Sequence, residues 1–290
     1  MKNLIKKLLY YSKKYDEKVI NKEINSLITK PADRLNNIKF AASIIDLTTL
    51  EGSDTKERVE ALCKKAINPI EEDSDFPHCA AVCVYPTLIK YAKKALKGRK
   101  VNLASVATGF PSGQFPLKIK LSDVKYCIEE GANEIDMVIS RGEFLMGNFD
   151  YVFEEIKKVK KICLKNKKKK PIHLKVILET GELGNYENIR TASFIAMLAG
   201  GDFIKTSTGK IPSTSTLPVV YVMCDAIKDY YNETGIKIGI KAAGGIRTTD
   251  EAINYISLVK GILGDEWLTP KLFRIGASSL LNDLLKQYKK

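Results

Sequence analysis

The sequence has few of the residues from which proteins build zinc sites. Among its 290 residues there are two histidines, His78 and His173, and the six cysteines form no Cys-x-x-Cys pair. Structural zinc sites usually take their ligands from closely spaced pairs of these residue types. We therefore expect no metal ion, and we interpret the cysteines as buried core thiols of a protein from a reducing compartment.

Further absences exclude broad function classes. The chain contains no run of the roughly 20 apolar residues that a membrane-spanning helix needs. No Gly-x-Gly-x-x-Gly fingerprint follows the first predicted strand, which argues against a dinucleotide cofactor. The basic, amphipathic residues 1–20 lack the continuous apolar segment of a secretory signal. We expect a cytoplasmic protein that needs neither a cofactor nor a membrane.

Basic residues are in excess: 47 lysines and arginines face 34 acidic residues, for a net charge of +13. A nucleic-acid partner is one explanation. The lysines, however, are spread along predicted helices, and the densest run, 165–171, has no interleaved aromatic residues and is interpreted as a loop. We therefore expect a solvated basic surface that attracts a phosphorylated metabolite. A non-catalytic, nucleic-acid-binding barrel is the remote alternative.

Short apolar runs rich in valine and isoleucine alternate with amphipathic stretches along the chain. The runs do not alternate cleanly between apolar and polar residues, as expected for strands that are covered on both faces. The eight predicted strands lie at 42–49, 79–86, 101–108, 134–140, 173–180, 202–208, 236–245 and 272–279. The predicted helices between them lie at 55–67, 121–132, 151–166, 189–201, 217–231 and 250–263.

This alternation predicts an α/β protein, a single (β/α)8 TIM barrel with added N-terminal helices. Residues 1–40 precede the first strand and are predicted to form a helical extension. Residues 41–290 are predicted to form the barrel and to carry the catalytic site. No composition break suggests a second domain.

Charged or nucleophilic residues interrupt six of the apolar strands near their carboxyl ends, where barrel active sites lie. They are Asp46, Cys83, Asp136, Lys175, Lys205 and Lys241. Any one of them could belong to a structural ion pair. Buried charge is costly unless it is paired, so the whole set is expected to converge at one site.

Several amines beside carboxylates, without a cofactor fingerprint, indicate Schiff-base chemistry. A neutral lysine attacks a carbonyl, and the resulting iminium withdraws electrons from a breaking C–C bond. A second ammonium group nearby lowers the pKa of the attacking amine. Lys205 and Lys241, on neighbouring strands, could form this couple, and Asp136 is the candidate proton carrier.

Glycine-rich turns after the last three strands predict a phosphate site, since barrels often bind phosphate there through backbone N–H groups. The segments are "TGK" (208–210), "AAGGIR" (242–247) and "GASSLL" (276–281). The candidate residues are Thr208, Gly209, Lys210, Gly244, Gly245, Gly276, Ser278 and Ser279.

Motifs spread from Asp46 to Leu281 resemble those of the deoxyribose-phosphate aldolase family of class I aldolases. They are "DLTTL", "AAVCVYP", "ASVATGFPSG", "GANEIDMVI", "LKVILETGEL", "GGDFIKTSTGK", "AGGIRT" and "FRIGASSLL". The segment "GDEWL" (264–268) and the N-terminal extension resemble the eukaryotic branch. The resemblance implies reversible cleavage of 2-deoxy-D-ribose 5-phosphate to D-glyceraldehyde 3-phosphate and acetaldehyde, a step of deoxyribonucleotide catabolism.

The resemblance also implies roles for individual residues. Lys205 would form the Schiff base, Lys241 would perturb it and Asp136 would relay protons. Asp46 and Lys175 would complete the polar network. Cys83 would lie near the substrate, and the residues of the three glycine-rich turns would line the phosphate and sugar site. We expect a homo-oligomer, either a dimer or a tetramer, acting on a small phosphorylated sugar.

Two departures from the family pattern and one alternative function remain. Ala242 replaces the family's proline after Lys241, which could change how Lys241 is aimed. Tyr288, near the end of the chain, could correspond to a tail tyrosine that reaches the site in some members. The alternative is another Schiff-base sugar-phosphate aldolase or a transaldolase, which would share the lysine and use a ketose donor.

Overall fold

The computed structural model describes residues 2–28, 33–165, 171–212 and 215–289. Its strands are β1 Ile45–Thr48, β2 Ala81–Val84, β3 Asn102–Ala107, β4 Glu134–Val138, β5 His173–Ile177, β6 Phe203–Lys205, β7 Gly239–Ala243 and β8 Phe273–Ala277. Its α-helices are α1 Lys2–Tyr10, α2 Glu17–Leu27, α3 Arg34–Ser43, α4 Lys56–Ile67, α5 Ile89–Ala95, α6 Leu117–Glu130, α7 Arg141–Leu145, α8 Phe149–Leu164, α9 Tyr186–Leu198, α10 Leu217–Thr234, α11 Thr249–Leu263 and α12 Leu280–Tyr288.

The eight strands are all parallel and close into a barrel in chain order, with β8 paired to β1. Helices connect successive strands around the outside. The predicted (β/α)8 barrel is therefore confirmed. None of the helices in the described part of the chain is long and apolar enough to cross a membrane.

Three helices that follow β1, namely α5, α7 and α12, were not expected from the sequence. Helix α7 has only five residues and lies between β4 and α8. Helix α5 is short and follows a 3-10 turn at Pro86–Leu88, and α12 begins within the segment that was interpreted only as a turn, "GASSLL". Helices α5 and α12 each bury apolar residues. These residues include Ile89 and Ala92 in α5 and Leu281 and Leu284 in α12. Of the lysine-rich run, residues 166–170 lie outside the described residues.

The N-terminal extension is helical and docks on the outside of the barrel. Helix α1 contacts α9, α2 contacts α10 and α11, and α3 contacts α11 and α12. Between α1 and α2 the chain is held by the buried Arg190 of α9, whose Nε donates to the carbonyl of Tyr11 at 2.6 Å. Lys13 also forms an ion pair with Asp225 of α10 at 2.8 Å. The predicted boundary at residue 40 falls inside α3, so α3 joins the two predicted segments.

The residues that point into the barrel are of two kinds. On β2 and β3 they are small and apolar: Ala81, Cys83, Ala104 and Val106 form a cluster with Leu50. On the other strands, ionisable side chains take the inward positions, because strand residues two apart share a face. Most of the apolar core lies outside the sheet, between strands and helices. The barrel interior is therefore half apolar and half charged.

Candidate active site

Seven ionisable side chains meet inside the barrel. They are Asp46 of β1, Glu134 and Asp136 of β4, Lys175 of β5, Lys205 of β6, Lys241 of β7 and Arg274 of β8. The strand register places them at similar heights, since Asp136 pairs with Lys175, Lys205 with Lys241, and Lys241 with Arg274. The interpretation that such residues stand at the strand tips is wrong except for Lys205, the last residue of β6. Because inward side chains of a tilted barrel stack in layers, the others form an internal layer.

Asp136 is the centre of this cluster. Its Oδ2 lies 2.8 Å from Nζ of Lys205 and 2.7 Å from Nζ of Lys241, and its Oδ1 lies 2.9 Å from Nζ of Lys175. Burial would raise the pKa of this carboxyl, but the three ammonium groups outweigh burial and hold the pKa well below its usual range. Asp136 is thus an ionised group shared by three lysines.

A second layer of pairs holds the same lysines from the other side. Asp46 lies 2.5 Å from Nζ of Lys241 and 3.2 Å from Nζ of Lys175 through the same oxygen, Oδ2. Glu134 lies 2.5 Å from Nζ of Lys175, and Arg274 donates to both Asp46 and Glu134 at 2.5 and 2.9 Å. Lys175 therefore contacts three carboxylates, and the cluster forms one continuous network.

The sequence analysis missed Glu134 and Arg274. Both precede a residue already singled out by two positions: Glu134 precedes Asp136, and Arg274 precedes Gly276. Residues two apart in a strand point to the same face, so the period of the strand could have found both.

The absence of a side chain at Gly276 leaves space for the side chain of Lys241. A Cβ at this position would lie 3.0 Å from Cε of Lys241 and 2.9 Å from Cβ of Ala243. Ala242, in place of proline, is buried in the outer core and points away from the cluster. The change from proline leaves Lys241 within reach of both Asp46 and Asp136.

Charge counting distinguishes the three lysines. With all groups ionised, four cations face three carboxylates in an almost fully buried cluster, which leaves one positive charge uncompensated. Burial lowers the pKa of Lys205, Lys241 lowers it further, and Asp136 only partly opposes them. For Lys241 and Lys175 the neighbouring carboxylates outweigh burial and raise the pKa. Lys205 is therefore the lysine of the cluster that most readily gives up its proton.

Lys205 also has access that the other two lack. It is 3% exposed, whereas Lys175 and Lys241 are 0% exposed. Lys205 lines a cavity of ≈ 370 Å³ at the carboxyl-terminal face of the barrel, and Lys175 and Lys241 do not. An amine with a lowered pKa at the floor of an open cavity can act as a nucleophile.

The cavity brings together the residues of all three glycine-rich turns. Its walls include Thr208, Gly209, Lys210, Gly244, Gly245, Gly276, Ser278 and Ser279. Two arginines that were not among the predicted site residues, Arg58 and Arg247, line it as well. A cavity lined by glycine-rich backbone, hydroxyl groups and cations is suited to an anion.

A buried carboxylate fixes the turn after β6. Glu179 is 0% exposed, and its Oε2 accepts from the backbone N–H of Thr208 at 3.2 Å and from the Thr208 hydroxyl at 2.5 Å. Arg141 donates to the same Glu179 oxygen at 3.2 Å and to the carbonyl of Ser112 at 2.9 Å. The sequence analysis also missed Glu179, although it lies in the predicted strand 173–180, and Arg141, which follows the predicted strand 134–140. Together they connect the loops after β3, β4, β5 and β6.

Cys83 and Tyr288 do not line the cavity. Cys83 is fully buried among small apolar residues, and burial raises the pKa of its thiol to about 11. The hydroxyl of Tyr288 donates to Asp73 at 3.0 Å, and its ring packs against Phe76, outside the barrel. Among the described residues, no group of three or more histidine, cysteine, aspartate or glutamate side chains is arranged to hold a metal ion.

Comparison with known proteins adds independent findings. Residues 40–286 match the family model described as DeoC/LacD family aldolase. The chain is 50% identical to a deoxyribose-phosphate aldolase of Mus musculus over 257 residues, which cover 85% of this chain and 79% of the mouse protein. It is 49% identical to the deoxyribose-phosphate aldolase of Homo sapiens, with the same coverage. Among solved structures it is similar to a deoxyribose phosphate aldolase from Aeropyrum pernix, described as a unique tetramer, with a TM-score of 0.66 and 25% identity over 90% of this chain and 99% of that one.

The charge balance predicts opposite effects on stability for two substitutions in the cluster. Arg274→Met removes a cation that compensates both Asp46 and Glu134, and we expect it to lower the free energy of unfolding by about 3–5 kcal/mol. Lys205→Met removes the uncompensated cation, and we expect the free energy of unfolding to fall by less than about 1 kcal/mol or to rise. Urea unfolding at neutral pH measures both. Equal losses in the two variants would contradict the assignment of Lys205 as the excess charge.

Proposed function

This chain belongs to the DeoC/LacD family of aldolases, and from that premise we propose that it reversibly cleaves 2-deoxy-D-ribose 5-phosphate into D-glyceraldehyde 3-phosphate and acetaldehyde. Lys205 forms the Schiff base. The observation that carries this proposal is that one lysine of the internal cluster, with a lowered pKa, lines the cavity. The aldolase names of the mouse and human relatives support the same substrate.

The phosphate group positions the substrate. It binds among Gly209, Lys210, Gly244, Gly245 and Ser278, which line the same cavity. These residues supply backbone N–H groups, a hydroxyl and an ammonium group. Because Lys205 lies in the wall of that cavity, the aldehyde carbon of the open-chain sugar is directed to its amine. Holding the two reacting atoms together supplies a large part of the rate enhancement.

Bond making and breaking then proceed through the amine of Lys205. The neutral amine adds to the aldehyde carbon, C1, and loss of water gives an iminium ion. The hydroxyl at C3 loses its proton, the bond between C2 and C3 breaks, and its electron pair moves into the C1–C2 bond as the iminium becomes an enamine. D-Glyceraldehyde 3-phosphate leaves. Protonation of the enamine at C2 and hydrolysis of the new iminium release acetaldehyde and restore the amine.

Asp136 carries protons to and from this amine. Its Oδ2 lies between Nζ of Lys205 and Nζ of Lys241, at 2.8 and 2.7 Å, within the range for direct proton transfer. Asp136 does not line the cavity, so its exchange with the substrate goes through Lys205 or a water molecule. Lys175 and Asp46 act as positioning residues, because they hold Asp136 and Lys241 without reaching the cavity.

We also propose that the protein works in the cytoplasm, in the breakdown of deoxyribose phosphates. Its expected partner is the small phosphorylated sugar alone.

The protein is further expected to assemble as a dimer or a tetramer. The tetrameric form described for the Aeropyrum pernix aldolase supports this expectation. Light scattering coupled to size-exclusion chromatography measures the mass in solution. A mass of one 32.4 kDa chain at micromolar concentration would contradict it.

Borohydride trapping tests the central assignment. Reduction in the presence of 2-deoxy-D-ribose 5-phosphate or acetaldehyde is expected to add the reduced two-carbon or sugar fragment to Lys205, located by peptide mass mapping. Lys205→Met removes the nucleophile and is expected to abolish both trapping and turnover. Lys157→Met, on the exposed surface of α8, is the matched control and keeps both. An adduct on Lys241 or Lys175 would support Schiff-base chemistry and contradict the assignment of Lys205 as the nucleophile. Active enzyme that forms no adduct would contradict the proposed mechanism.

The pH dependence tests the coupling between the two lysines. Lys241 carries a positive charge 2.7 Å from the carboxylate that Lys205 shares, and it lowers the pKa of Lys205. In Lys241→Met this repulsion is gone, so the pKa of Lys205 rises and its amine is protonated over a wider pH range. We therefore expect the trapping rate to be lower at neutral pH, roughly tenfold.

The same experiment carries its own control for folding. As the pH rises through the raised pKa, the amine of Lys205 becomes neutral, and the trapping rate of Lys241→Met is expected to approach that of the native protein. An unchanged rate at neutral pH would show that Lys241 does not act on the pKa of Lys205. A rate that stays low at alkaline pH would show that Lys241 acts by some other route.

A further inference from the structure

An ion pair spans the mouth of the cavity. Oε1 of Glu51, in the loop between β1 and α4, lies 3.0 Å from Nζ of Lys210, in the loop after β6. Strands β1 and β6 are not neighbours, since β7 and β8 lie between them in the barrel. Both residues line the cavity, and their side chains remain 57% and 29% exposed. The pair therefore connects two distant loops across the opening.

The Glu51 end of this pair is held by its own loop. The backbone N–H of Glu51 donates to Oδ2 of Asp54 at 2.9 Å, and the N–H of Asp54 donates back to the carbonyl of Glu51 at 3.1 Å. The hydroxyl of Thr49 donates to the other oxygen of Asp54 at 2.7 Å. These three hydrogen bonds fix the turn from which the Glu51 side chain extends.

The Lys210 end is fixed as well. Its backbone N–H donates to Oγ1 of Thr208 at 3.1 Å, and Thr208 is bound through its N–H and hydroxyl to the buried Glu179. Arg141 holds Glu179 in turn at 3.2 Å. The backbone on each side of the ion pair is therefore held by hydrogen bonds, and the two loops present opposite charges to each other.

This contact bears on phosphate binding. Lys210 is the ammonium group that the proposed function assigns to the substrate phosphate, and its charge is already compensated by Glu51. A phosphate dianion must displace the carboxylate from Lys210, and it meets a negative charge in the same cavity when it does so. The Glu51 carboxylate and the phosphate would both be negatively charged within one cavity, and like charges repel each other there.

We propose that Glu51 competes with phosphate for Lys210 and thereby weakens the binding of phosphorylated ligands, so that it sets the affinity of the cavity. The inference rests on the proposed function, since it requires phosphate to bind at Lys210. Glu51 is in this sense a specificity-determining residue: it acts on ligands that carry phosphate and leaves unphosphorylated 2-deoxyribose unaffected.

Glu51→Gln keeps the size of the side chain and removes its charge. We expect the dissociation constant of inorganic phosphate, measured by titration calorimetry, to fall roughly two- to five-fold, the size that partly exposed ion pairs have. The KM for 2-deoxy-D-ribose 5-phosphate is expected to fall by a similar factor, and that for 2-deoxyribose to stay the same. Glu72→Gln, an exposed carboxylate away from the cavity, is the matched control and leaves phosphate affinity unchanged.

Lys210→Met and the double variant test separately whether phosphate binds at Lys210 and whether Glu51 competes with it. Lys210→Met is expected to weaken phosphate binding. Adding Glu51→Gln to it is expected to raise the affinity by less than Glu51→Gln does alone, because the competition for Lys210 is gone and only the repulsion between the carboxylate and the phosphate remains. If Lys210→Met leaves phosphate affinity unchanged, the assignment of the phosphate site is wrong and the inference falls with it. If Lys210→Met weakens binding while Glu51→Gln alone leaves it unchanged or weakens it, the proposed function stands and the competition by Glu51 is refuted.

Discussion

One carboxylate, Asp136, holds the interior of this barrel together. Its two oxygens contact Lys175, Lys205 and Lys241, each on a different strand, within 2.7–2.9 Å. A buried ammonium group without such a partner would carry a large desolvation cost. Asp136 therefore permits three lysines to be placed where the barrel would otherwise need apolar side chains. The remaining carboxylates, Asp46 and Glu134, complete the compensation together with Arg274.

The same arrangement produces the asymmetry that chemistry needs. Among the described residues, Lys175 contacts three carboxylates and Lys241 contacts two, whereas Lys205 contacts Asp136 alone. The least compensated amine is also the one that reaches the cavity. Stability and reactivity therefore have one origin: the network satisfies the lysines it uses for structure and leaves the one at the cavity with a lowered pKa.

The loops above the barrel repeat this principle in a weaker form. Glu179 and Arg141 are buried or nearly so, and they fix the turn that carries Thr208 and Lys210. Glu51 and Lys210 are partly exposed at the cavity, where an ion pair contributes little stability and can be exchanged for a ligand. The burial of each ion pair thus corresponds to its role. The buried pair of Arg141 and Glu179 stabilises the loops, and the partly exposed pair of Glu51 and Lys210 can open.

Several features could be predicted from the sequence because they depend on local patterns. The alternation of apolar strands with amphipathic helices determined the barrel, and Asp136, Lys205 and Lys241 were evident as charges inside apolar strands. The glycine-rich turns indicated the cavity wall for the same reason. Glu134 and Arg274 could also have been predicted, because each lies two positions before a residue that had been singled out in the same strand. The helix α5 could not be predicted, since it is short and its few apolar residues do not stand out from the loop before it.

The tertiary structure alone decided which charges meet and which amine is accessible. Pairing depends on the register between strands that are distant in sequence, such as β1 with β8, and no local pattern specifies that register. Lys205 is the last residue of the short strand β6 and lines the cavity, whereas Lys241 stands in the middle of β7 and is fully buried. The contact between Glu51 and Lys210, 159 residues apart, likewise exists only because the closed barrel brings the loops after β1 and β6 to the same opening.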